Sequence, residues 1–109
     1  MFKKIQLPYE YNSLEPYYSE ETLKLHYEKL YTVYIENANK TLEGLRIARV
    51  TGNYENIKCL QKNLSFFGSG AILHELFFLN IGPPRKTQIS PELLGSIKQN
   101  FGSYEMFNE

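Results

Sequence analysis

A run of apolar residues in the second half of this chain is spaced for one face of a long helix. Ile57, Leu60, Leu64, Phe67, Ala71, His74, Phe78 and Ile81 recur at steps of 3, 4, 3, 4, 3, 4 and 3. That period belongs to an α-helix packed along its length against a partner, and it excludes a strand. Asn53 offers a cap at the start, and Gly82-Pro83-Pro84 forbids continuation. Inside the run lies Gly68-Ser69-Gly70, where each glycine costs about 1 kcal/mol of helix stability relative to alanine. Glycine at such positions implies close approach by a neighbouring backbone.

A first helix is predicted from about Glu20 to Glu43, ending at Gly44, with Ser19 as its cap and Glu20 and Glu21 in its first turn. Its seam reads Leu23, His26, Leu30, Val33 and Asn37. The stretch Arg46–Thr51 has room for one more helical turn before Gly52. Residues 1–18 contain two prolines and no helical period, so they read as an extended aromatic arm laid on a packed surface. Ser90-Pro91-Glu92 opens a short third helix carrying Leu93, Leu94, Ile97 and Phe101, expected to fold back over the hairpin. Ser103 caps a further turn. No alternating pattern appears. The expected fold is all-α: a long antiparallel helical hairpin over 1–82, a linker at 83–89 and a short helical segment over 90–109.

Composition removes several functions. Twelve basic residues balance twelve acids, and the basic pairs Lys3-Lys4 and Arg85-Lys86 lack interleaved aromatics, so nucleic acid is not an expected partner. No segment has membrane-spanning length and no apolar leader is visible, which makes the cytoplasm the expected location. All twelve acids are glutamate, and the only histidines are His26 and His74. A Ser-His-Asp triad and a three-histidine metal site are therefore both out of reach of one chain. Cys59 is the single cysteine, read as an ordinary buried or half-buried thiol.

Both histidines lie on apolar seams. His26 stands 18 residues before Gly44 and His74 stands 22 after Gly52. In a hairpin the mismatch amounts to about 6 Å of helix rise, one turn. The rings can then meet between the helices. Read from the pattern alone, they are either hydrogen-bonded core residues or the ligands of one metal ion, and imidazole suits zinc, iron, copper or nickel.

The residues also resemble a known family. Leu7-Pro8-Tyr9-Glu10-Tyr11 with Leu14-Glu15-Pro16, His26-Tyr27-Glu28-Lys29 with Tyr34, and Gly68-Ser69-Gly70-Ala71-Ile72-Leu73-His74 through Phe78 are similar to the amino-terminal half of iron/manganese superoxide dismutases. Ile97 to Phe107 resembles the opening of that family's carboxy-terminal α/β domain. The resemblance implies a truncated fold lacking that domain, with His26 and His74 as two of four protein ligands and Tyr34 as the residue gating substrate access. It implies iron or manganese as cofactor, with zinc or no metal as alternatives for so short a chain, and superoxide as substrate. The missing aspartate and third histidine would come from a separately encoded half or a second chain. The chain alone is expected to be inactive. The alternative is a non-catalytic homodimeric module with a shared histidine site or simply buried histidines. Leu30, Ala71, Leu73 and Phe78 replace polar or indole groups of the family pattern.

Overall fold

The structure is a computed structural model, and it describes residues 1–84 and 88–109. Five α-helices and one π-helical segment account for its regular structure among those residues: α1 (Glu20–Lys24), a π-helical stretch (Leu25–Tyr31), α2 (Thr32–Thr51), α3 (Ile57–Asn80), α4 (Pro91–Phe101) and α5 (Tyr104–Asn108). The first three run on without a break, and α2, with an edge of the π-helical stretch, pairs antiparallel with α3, giving the expected all-α hairpin. Arg85, Lys86 and part of the predicted 83–89 linker lie outside the described residues.

Ser19 caps α1 as expected, its side chain accepting from the Thr22 amide. Gly44 does not end the helix. The chain stays helical to Thr51 and turns at Gly52, whose φ of 69° is the left-handed conformation that favours glycine. Gly44 serves another purpose: a Cβ there would meet a Leu60 methyl at 2.8 Å. Gly70 plays the same part against the Tyr34 ring, where an added Cβ would overlap ring carbons. The two contacts lie ten residues apart on each helix, in opposite directions, which fixes the antiparallel register. Asn53 is not the cap of α3. Its side chain accepts from the Glu55 amide within the connection, and the helix begins after Asn56.

All eight seam residues expected of α3 are buried or half-buried. The seam of the first helix holds only at its start. Leu23 is buried and His26 half-buried, but Leu30 and Val33 are about half exposed, and burial falls instead on Tyr31, Ile35, Ala38, Thr41, Leu45 and Ala48. The cause is the π-helical stretch. It inserts one residue into the helical count, so the inward positions fall at 31, 34 and 38 where an unbroken helix would place 30, 33 and 37.

The arm lacks regular structure through residue 10 and is stitched to the helices by side chains. Asn39 pairs with both backbone groups of Phe2, at 2.7 and 2.9 Å. Tyr9 donates to the Phe78 carbonyl at 2.8 Å, and Tyr27 donates to that of Ile5 at 2.5 Å. Lys4 lies 3.8 Å over the Tyr27 ring centre and donates to Thr32. These bonds satisfy an extended backbone that has no sheet to join. The core they help enclose contains Leu14, Leu23, Tyr31, Ile35, Ala71 and Phe78.

Ser90 and Ser103 cap α4 and α5 as the sequence predicts, each accepting from the amide three residues on. The expected fold-back does not occur. Among the described residues α4 and α5 pack on each other, with the Phe101 and Phe107 rings 5.0 Å apart, and not on the hairpin. Gly102 lies between the two short helices, and of their apolar residues Ile97 is buried while Leu93, Phe101 and Phe107 stay about half exposed.

Candidate metal centre

His26 leaves the π-helical stretch and His74 leaves α3 toward the same space. Their ring centres are 5.0 Å apart, with planes at 75°. A ring centre lies about 3.2 Å from an ion bound through one of its nitrogens at ordinary imidazole–metal distance. Two rings that share one ion must have their centres within about 6.4 Å of each other. The observed spacing meets that limit comfortably.

Each ring is held by its Nδ1. His74 Nδ1 lies 2.6 Å from the Gly70 carbonyl oxygen. A carbonyl can only accept, so this nitrogen carries the proton and the neutral ring's lone pair sits on Nε2. The spacing of four residues places that carbonyl one turn below its own helix's histidine. His26 Nδ1 lies 2.9 Å from the Tyr18 hydroxyl, which can donate or accept. In both rings Nε2 is the nitrogen without a protein partner among the described residues.

Aromatic rings form the walls. Phe77 and Phe78 approach His26 with centres at 4.8 and 5.0 Å. Tyr31 stacks within 3° of parallel on His74 at 5.7 Å. Tyr34, the predicted gate, lies 4.6 Å from His74, and its hydroxyl has no hydrogen-bond partner among the described residues. Burial, followed by the nearby His74 ring, pushes the His26 pKa below its ordinary value, so both effects keep this imidazole neutral and fit to donate a lone pair. Burial also raises the Tyr18 pKa, holding its phenol protonated.

The three predicted site residues are thus brought together. Of the replaced positions, Ala71 and Phe78 are buried in the core, whereas Leu30 and Leu73 face outward. Sequence reasoning missed Tyr18, Tyr31 and Phe77. Tyr18 sits in the non-periodic arm, and Tyr31 is brought inward only by the π-helical insertion. No third His, Cys, Asp or Glu joins the pair to make a metal-holding group among the described residues. The donors fit a metal ion as one part of a larger ligand set.

The amino-acid sequence is also similar to those of known proteins. Residues 1–82 match the family described as iron/manganese superoxide dismutases, alpha-hairpin domain. The chain is 41% identical over 106 residues to the iron superoxide dismutase of Methanothermobacter marburgensis, covering 95% of this chain and 52% of that protein. It is 40% identical to the iron superoxide dismutase of Pyrobaculum aerophilum, covering 94% and 50%. It is also 38% identical to the probable iron superoxide dismutase of Bacillus subtilis, covering 95% and 37%. The chain therefore spans about half the length, or less, of these relatives. With its helical hairpin and the match over residues 1–82, the chain belongs to the iron/manganese superoxide dismutase family, through that family's alpha-hairpin domain.

Proposed function

We propose that this chain provides the metal-binding hairpin of an iron superoxide dismutase, with His26 and His74 as two ligands and the remaining ligands supplied from outside residues 1–109. The observation that carries this reading is the pair of rings 5.0 Å apart, each tied through Nδ1 and each keeping Nε2 for an ion. Iron is the metal in all three relatives' names, and manganese is the other metal of the family description. The bound metal would supply the one-electron exchange that dismutation of superoxide requires. The chain's own part is to orient two neutral donors, flank them with aromatic rings, and place Tyr34, whose hydroxyl has no partner among the described residues, next to His74 as a hydrogen-bond partner for an arriving molecule.

Two ligands without a carboxylate hold a redox metal weakly and leave its charge uncompensated, so activity requires the completing segment. Phe66, Leu73 and Phe77 recur at steps of seven and four on α3 and are exposed. A completing segment of residues 90–109 and beyond, or of a second polypeptide, would cover that stripe. Among the described residues no helix is long and apolar enough to cross a membrane. Cys59, expected to be buried or half-buried, is exposed on α3, and a lone exposed thiol suits a reducing, cytoplasmic setting.

The test is complementation. The chain is mixed with the carboxy-terminal portion of the Methanothermobacter marburgensis relative, supplied with iron, and assayed for superoxide consumption. Activity should require both halves and iron and should be lost in His26→Ala and His74→Ala. Equal activity in those variants would refute the ligand assignment.

A further inference from the structure

The two histidines are held in chemically different ways. His74 is tied to a backbone carbonyl, which cannot donate, so its tautomer is fixed before any ion arrives. His26 is tied to a phenol, which can reverse its hydrogen bond. Tyr18 is itself held firmly. Its amide donates to the Leu14 carbonyl at 3.1 Å, Leu14 is buried, and the Tyr18 ring packs at 6.2 Å against Phe77, which also touches His26. Ser19, the next residue, is the cap that starts the helix carrying His26. The hydroxyl is thus placed by a turn, a cap and a ring contact together.

We propose that Tyr18 is the positioning residue for metal binding at His26: its hydroxyl occupies Nδ1, fixes the ring's rotation and reserves Nε2 for the ion. This rests on the reading of His26 as a ligand. When an ion takes the Nε2 lone pair, the ring proton must reside on Nδ1 and be donated to the Tyr18 oxygen. If Nε2 carried the proton beforehand, that proton leaves, one is taken up at Nδ1, and Tyr18 turns from donor to acceptor, with no net change in bound protons. Without the hydroxyl, Nδ1 has no partner, the ring is free to turn, and either nitrogen can bind. Removing such a partner of a ligating histidine typically weakens metal binding by about 10–100-fold.

The experiment uses the intact chain and zinc ion alone, which avoids redox chemistry. Tyr18→Phe keeps the ring against Phe77 and removes only the hydroxyl. Its zinc dissociation constant should rise at least about tenfold, while Tyr17→Phe, at a highly exposed neighbour, matches wild type. Nitrogen-15 spectra of the zinc-loaded wild type should show a slowly exchanging His26 Nδ1–H resonance that Tyr18→Phe lacks. Wild-type affinity in Tyr18→Phe, or zinc on His26 Nδ1 in the wild type, overturns the proposal. The wild-type spectrum decides the matter by itself if the variant is poorly folded. Zinc binding that is undiminished in both His26→Ala and His74→Ala would instead overturn the ligand reading beneath it.

Discussion

Gly70→Ala is the substitution whose sign separates local propensity from packing. Alanine in a helix interior is favoured over glycine by about 1 kcal/mol. Judged by propensity, the variant should be more stable. The structure opposes that expectation, because the new methyl would overlap two carbons of the Tyr34 ring. Overpacking a well-filled site costs about 1–3 kcal/mol, so the net effect lies between neutral and about 2 kcal/mol of destabilisation. For a domain of this size that is a fall in Tm of up to about 10 °C. Gly68→Ala, two residues away, provides the contrast. Its methyl would touch Phe2 and Leu64 at 3.4 Å, an ordinary contact, so stability should rise by up to about 1 kcal/mol. Urea unfolding of the metal-free chain, followed by circular dichroism, measures both. Tyr34→Ala removes the obstructing ring, and in that background Gly70→Ala should become stabilising. The coupling energy between the two positions should be about 1–3 kcal/mol. A stabilised Gly70→Ala single variant, or a vanishing coupling energy, would refute the close packing of Tyr34 on α3.

Phe78→Ala should cost about 3–5 kcal/mol, since this fully buried ring touches both histidines, Tyr27 and Tyr31; a loss below 1 kcal/mol in urea unfolding would show that the core is not centred there. Ser19→Ala should cost about 1 kcal/mol through loss of its bond to the Thr22 amide, measured in the same way. The pH dependence follows from His26, whose folded pKa lies below the ordinary 6.5. The unfolded chain then binds a proton more readily, so this contribution is intact above about pH 6.5 and is lost as pH falls through that value toward the folded pKa. His26→Gln should lose less stability than wild type between pH 7.5 and 5, and equal losses would remove His26 as the cause.

How far the sequence reveals this molecule depends on whether each signal is periodic. The α3 seam is readable to the last residue because one unbroken helix carries it. The first seam is misplaced beyond His26 because a π-helical insertion has no sequence mark of its own, and it displaces each later inward position by one. Gly44 resembles a stop signal, yet it is a close-approach glycine, and the sequence does not distinguish the two uses. The histidine pair is visible because both members lie on seams. Tyr18 is not, because a residue in an extended arm gains its partner only when the arm is laid against the helices. The apolar residues of α4 do not say which surface they meet: α4 packs on α5, where Ile97 is buried and Leu93 and Phe101 stay about half exposed.

In the proposed site His26 and His74 hold a single ion through their Nε2 atoms. X-ray absorption at the zinc edge, with zinc supplied below one equivalent, tests it most directly. Two imidazole nitrogens should surround each ion at about 2.0–2.1 Å, and their signature should be lost in the His26→Ala, His74→Ala double variant. A spectrum without imidazole, or one unchanged by that double substitution, would contradict it.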